Sequence, residues 1–65
     1  MKYVMILTRS DAMYYVNIDK IVSILWCKQM MCTIVEISDG PALYTKEQPE
    51  HLIKRIGGEI IDYDA

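Results

Sequence analysis

Ile21-Val22-Ser23-Ile24-Leu25-Trp26-Cys27 is followed, after four intervening residues, by Cys32-Thr33-Ile34-Val35-Glu36-Ile37. Both stretches are short and rich in β-branched and aromatic side chains, the composition of strands. A strand with one face in water alternates apolar and polar residues. In the first stretch the odd positions Ile21, Leu25 and Cys27 and the even positions Val22, Ile24 and Trp26 are all apolar. A chain of 65 residues has little interior in which to bury two such faces. The surplus points to a partner surface, and the simplest partner is a second copy of the chain.

On the N-terminal side, residues 2–8 read as a first strand and Met13-Tyr14-Tyr15-Val16 as a second. Between them Arg9-Ser10-Asp11-Ala12 is a polar turn, with Ser and Asp able to bond to their own backbone. Asn17-Ile18-Asp19-Lys20 interrupts the pattern with two turn formers, which predicts a tight turn or a short 3₁₀ element. The third strand is expected over 21–27 and the fourth over 31–38. The loop Lys28-Gln29-Met30, with Met31 at its edge, has no Gly, Pro or Asn and is weak hairpin chemistry.

Ser38-Asp39-Gly40-Pro41 is the strongest turn signal, because Asp-Gly supplies the positive φ of a tight hairpin. Pro41 can only start an edge strand or sit where no ladder N–H is required. Ala42-Leu43-Tyr44-Thr45 then forms a short fifth strand. A helix is predicted over 49–56. Pro49 suits its first position, Glu47 and Glu50 lie near its N-terminus, and Lys54 and Arg55 occupy its last turn. Leu52, Ile53 and Ile56 form its apolar stripe, and Gly57 is the residue that ends it. Gly58 lets the chain reverse, residues 59–63 could add a tail strand, and Asp64-Ala65 fray.

The expected fold is α+β: a small five-stranded antiparallel β-meander, curled as a sheet, with one short C-terminal helix packed on it. Residues 1–65 make a single domain with its core in 2–56 and a tail over 57–65. Leu25, Trp26, Met30, Met31 and Ile34 form the candidate interface, since a two-turn helix cannot cover them all. Trp26 is the expected anchor, as Trp concentrates interface energy, and methionines suit an adaptable contact surface.

Composition narrows the function. The hydrophobic share of 52% with 25% charged residues describes a folded domain and not a disordered one. A net charge of −2 disfavours nucleic acid, whose phosphates call for a basic stripe. The apolar run after Lys2 is too short for a secretory segment, and nothing approaches the length of about 20 residues that spans a bilayer. A cytoplasmic protein without membrane contact is therefore expected.

The order of these signals resembles a known group. Tyr15-Val16-Asn17-Ile18-Asp19-Lys20-Ile21-Val22-Ser23-Ile24, then Thr33-Ile34-Val35-Glu36-Ile37-Ser38-Asp39-Gly40, then Thr45-Lys46-Glu47-Gln48-Pro49-Glu50-His51-Leu52-Ile53-Lys54-Arg55-Ile56 is similar to small bacterial and phage proteins of the flagellar FlbD-like family. The resemblance runs over residues 2–56. It departs in the apolar 28–31 loop, the cysteine pair and the tail after Gly57. It implies a small cytoplasmic β-rich protein that acts through protein contacts, with no catalytic residues to carry over.

Candidate chemistry is sparse. His51 is the sole imidazole and has no nucleophile or orienting acid beside it in the sequence, so it reads as a surface or cap residue. Asp11, Asp19, Asp39 and Asp62 are scattered over turns without calcium-loop spacing. Cys27 and Cys32 lack metal-knuckle or redox C-x-x-C spacing and read as small apolar side chains beside a hairpin. A cross-strand disulfide is open to them if they face one another. No metal and no cofactor is expected. The five tyrosines and Trp26 could form a base-stacking platform, but interleaved Lys and Arg are missing. The function expected is a non-enzymatic protein–protein interaction module, homo-oligomeric through the hairpin of strands three and four or docked on another protein. The alternative is a nucleic-acid-associated regulator from a mobile element, using Lys46, Lys54 and Arg55.

Overall fold

A computed structural model describes residues 2–57. Among these residues five antiparallel strands, one 3₁₀ turn and one short helix occur in the expected order. Strands β1 (Tyr3–Leu7) and β2 (Met13–Asn17) form a hairpin in which Val4 faces Val16 and Ile6 faces Tyr14. The turn between them closes through Thr8, whose N–H donates to Ala12 O at 2.9 Å and whose hydroxyl accepts from Ala12 N at 3.1 Å. Asp11 takes a φ of 66° there, a conformation that Asp tolerates better than most residues. Asn17 then caps a 3₁₀ turn, η1 (Ile18–Lys20), its Oδ1 accepting from Asp19 N at 3.0 Å.

Strands β3 (Ile21–Cys27), β4 (Cys32–Ile37) and β5 (Leu43–Thr45) form a three-stranded meander. The expected single curled sheet is corrected here: the five strands divide into two sheets, β1–β2 and β3–β4–β5. What joins them is one bridge, Thr8 to Thr45, supported by Arg9 N donating to Tyr44 O at 2.8 Å. Five strands in a chain this short are therefore packed as two layers around a shared interior.

Part of the two-faced apolar pattern of β3 has a local cause. Ile21 pairs with Ile37 while Ser23 pairs with Glu36, so Val22 is an extra residue in the ladder. Such a bulge reverses the alternation. Ile21 and Ile24, of opposite parity in sequence, both pack against the core, and Val22 is turned out to solvent.

The core is built from Val4, Ile6 and Val16 of the first sheet, Val35 and Leu43 of the second, and Leu52 of the helix α1 (Pro49–Arg55). Ile18, Ile21, Ile24, Ile37 and Ile56 surround it. Burying each aliphatic side chain contributes about 1.5–3 kcal/mol. The helix starts at Pro49 and ends as the sequence implies: Gly57 has a φ of 79° and its N–H donates to Lys54 O at 3.1 Å.

A second correction concerns Gly40. The residues of positive φ among those described are Asp11, Met31 and Gly57, so Gly40 is not the left-handed residue of a tight Asp-Gly hairpin. β4 stops at Ile37 and β5 starts at Leu43, leaving a longer connection over 38–42 with open space around Gly40. The left-handed residue lies instead in the 28–31 loop, at Met31, with a φ of 52°. The tail strand over 59–63, the reversal at Gly58 and the fraying of Asp64-Ala65 fall outside the described residues.

Candidate interface on the β3–β4 hairpin

Register decides which apolar side chains share a surface. Leu25 lies opposite Ile34, and Ile34 lies opposite Tyr44, so the three form one row across β3, β4 and β5. This row is on the face turned away from Ile24, Val35 and Leu43. Leu25 is 47% and Tyr44 40% exposed, and Ile34 is half-buried between them. A polar pair bounds the row on one side, Ser23 hydroxyl donating to the Glu36 carboxylate. On the other side Cys27 lies opposite Cys32.

Of the five residues singled out in the sequence, Leu25 and Ile34 are thus brought together. Met30, 41% exposed, and Met31, 67% exposed, extend beyond them in the loop that joins the two strands. Trp26 is set apart: it pairs with the buried Thr33 on the inward face, yet stays 39% exposed at the end of the strand. Sequence reasoning misses Tyr44, because the pairing of a three-residue strand cannot be read from its own residues. Its one signal is the alternation of Leu43-Tyr44-Thr45, with Leu43 and Thr45 buried and Tyr44 out.

A second apolar face lies on the first sheet. Tyr3, Leu7, Met13 and Tyr15 are exposed on the outer side of β1–β2, with half-buried Met5 in their midst. A sequence signal is present here too, in the odd positions of both strands. An open groove of about 540 Å³ runs where the sheets meet, lined by Thr8, Arg9, Ser10, Tyr14 and Tyr44 among others. From it the Arg9 Nη1–H donates toward Cys32 Sγ at 3.8 Å, and Cys32 is fully buried.

Charged groups converge at Glu47, between β5 and α1. Its two carboxylate oxygens accept from Arg55 Nε and Nη2, each at 2.7 Å, and His51 Nδ1 lies 2.7 Å from Oε2. Arg55 Nη2 also donates to Met5 O of β1 at 2.7 Å. The Glu47 backbone is held as well: its carbonyl accepts from Thr33 Oγ1 at 2.6 Å and its N–H donates to Thr45 Oγ1 at 3.2 Å. Those bonds satisfy the two buried threonines. The bond from Arg55 holds the Glu47 carboxyl below the usual carboxylate range, against the opposing effect of partial burial, and raises Arg55 in turn. This arrangement latches the helix to both sheets. His51, with its side chain 68% exposed, is an outer member of that latch, at the surface as expected but beside a carboxylate, Glu47, that the sequence did not place there.

Among the described residues no helix is long and apolar enough to cross a membrane, and no three His, Cys, Asp or Glu side chains gather as a metal set. Comparison with known proteins brings no match: no family model fits the chain, and no curated protein or solved structure is significantly similar to it.

Proposed function

We propose that this chain is a non-enzymatic protein–protein interaction module that pairs with a second copy through the outer face of the β3–β4 hairpin. The observation that carries the reading is the Leu25–Ile34–Tyr44 row, with exposed Met30 and Met31 in the adjoining loop, left in water by a domain with six buried aliphatic core residues among those described. The row holds no charge, so a copy of itself meets no like-charge repulsion there, and an isologous two-fold contact closes on itself. Trp26, expected as the anchor, pairs with Thr33 on the opposite face and is not counted in this patch. The resemblance to the FlbD-like family agrees with a small cytoplasmic protein of bacterial or phage origin that works through protein contacts. The regulator reading, built on Lys46, Lys54 and Arg55, is weaker, because Arg55 is engaged by Glu47 and the chain carries a net charge of −2.

Light scattering across about a hundredfold range of concentration tests the proposal. Wild type is expected to associate and Leu25→Lys to stay monomeric while remaining folded. A wild-type monomer at high micromolar concentration overturns it. The outer face of β1–β2 supports a second reading, in which Tyr15→Lys and not Leu25→Lys dissolves the assembly.

A further inference from the structure

We infer that Cys27 and Cys32 are a dithiol–disulfide couple that staples the β3–β4 hairpin, oxidised by a low-molecular-weight disulfide. The inference is independent of self-association. Both cysteines are free, and they are the last directly paired residues of the ladder before the loop. Directly opposed residues of an antiparallel pair have Cα atoms about 4.5–5.5 Å apart on the same face. A disulfide requires about 4.4–6.8 Å between Cα atoms, so the pairing brings the two backbones within range, and closing the bond asks for a small approach of the two Cβ atoms.

The two sulfurs differ in access, which assigns their roles. Cys27 is partly exposed and Cys32 is fully buried. The Cys27 thiolate attacks one sulfur of the small disulfide, the S–S bond breaks, and the departing thiolate takes up the proton that Cys27 released. The product is a mixed disulfide on Cys27. Cys32 Sγ then attacks Cys27 Sγ across the ladder and expels the second small thiol, which carries away the Cys32 proton. Two protein thiols are oxidised and one small disulfide is reduced to two thiols. Cys32 needs no solvent access, since its target is the neighbouring sulfur. The Arg9 guanidinium, 3.8 Å from Cys32 Sγ, places a positive charge beside the sulfur that acts second.

The test incubates the reduced full chain with glutathione at graded ratios of reduced to oxidised form, quenches with an alkylating reagent, and reads intact mass without reductant. Wild type is expected to become a monomer lighter by two hydrogens and free of alkyl groups as the oxidised form dominates. Cys32→Ala is expected to stop at one glutathione adduct, and Cys27→Ala to keep an unmodified thiol, with circular dichroism confirming that both fold. The wild-type result decides the matter even if a variant unfolds. Two alkylatable thiols in fully oxidised glutathione, arrest at the mixed disulfide, or a bond between two chains each overturns the inference.

Discussion

Replacing Glu47 with Gln tests the latch that holds the helix to the sheets. The substitution keeps the shape and both backbone bonds of residue 47 but removes the charge that Arg55 grips with two contacts of 2.7 Å. The side chains are 17% and 33% exposed, so the pair is neither dry nor freely hydrated. A hydrogen bond to a charged group contributes about 1.5–3 kcal/mol when buried, whereas exposed pairs give about 0–1 kcal/mol. Discounting for solvent screening, Glu47→Gln should destabilise by about 1–2 kcal/mol. In a domain of this size each kcal/mol moves the melting temperature by about 4–8 °C, which gives a drop of about 5–15 °C at pH 7 by circular dichroism. The Glu47 carboxyl is depressed in the folded chain relative to its ordinary value of 4.5. Its contribution is therefore fully present above that value and lost as the pH falls through the folded pKa. The gap between wild type and Glu47→Gln should narrow on acidification below about pH 4.5. An unchanged melting temperature at pH 7, or a gap that persists in acid, refutes the latch.

Three further outcomes concern the backbone and the core. Met31 holds a φ of 52°, and a non-glycine residue there costs about 1–2 kcal/mol. Met31→Gly, offset by glycine's greater freedom when unfolded, should stabilise by about 0.5–1 kcal/mol, read as a higher urea midpoint at dilute protein; a lower midpoint refutes the strain. Gly40 has open space around it and no positive φ, so Gly40→Ala should be neutral or stabilising by up to about 1 kcal/mol in the same assay. A loss of stability would restore the tight Asp-Gly turn. Leu52 is the helix residue fully buried in the core, and Leu52→Ala should destabilise by about 2–5 kcal/mol. Retention of a wild-type melting curve would show that α1 does not seal the interior.

Much of the local structure is legible because it rests on neighbours in sequence. Asn17 and Asp19 announce η1 through a side-chain-to-backbone bond two residues apart. Pro49 and Gly57 bracket the helix through their own backbone preferences. The β-branched and aromatic content of Tyr3–Leu7 and Cys32–Ile37 marks them as strands, while their burial, with Val4, Ile6 and Val35 in the core, is decided by packing. Of the candidate interface, the residues are legible but their grouping is not: Leu25 and Ile34 share a face while Trp26 takes the other.

What escapes sequence reasoning depends on partners distant in the chain. The bulge at Val22 is a property of the ladder with β4, and it carries Ile21 and Ile24 to the same side despite their spacing. The division into two sheets turns on the meeting of Thr8 with Thr45 and on where each sheet's apolar face finds cover. By sequence Glu47 is a helix-dipole residue, and only the approach of Thr33, Thr45, Arg55 and the β1 carbonyl makes it a latch. The sequence by itself determined the strands, the 3₁₀ turn and the helix, because backbone preference and hydrophobic period act over a few residues. The tertiary structure alone decided which sheet each strand joined, which way Trp26 faced and which loop took the left-handed residue. Those outcomes are set by register and packing, which no short stretch of chain encodes.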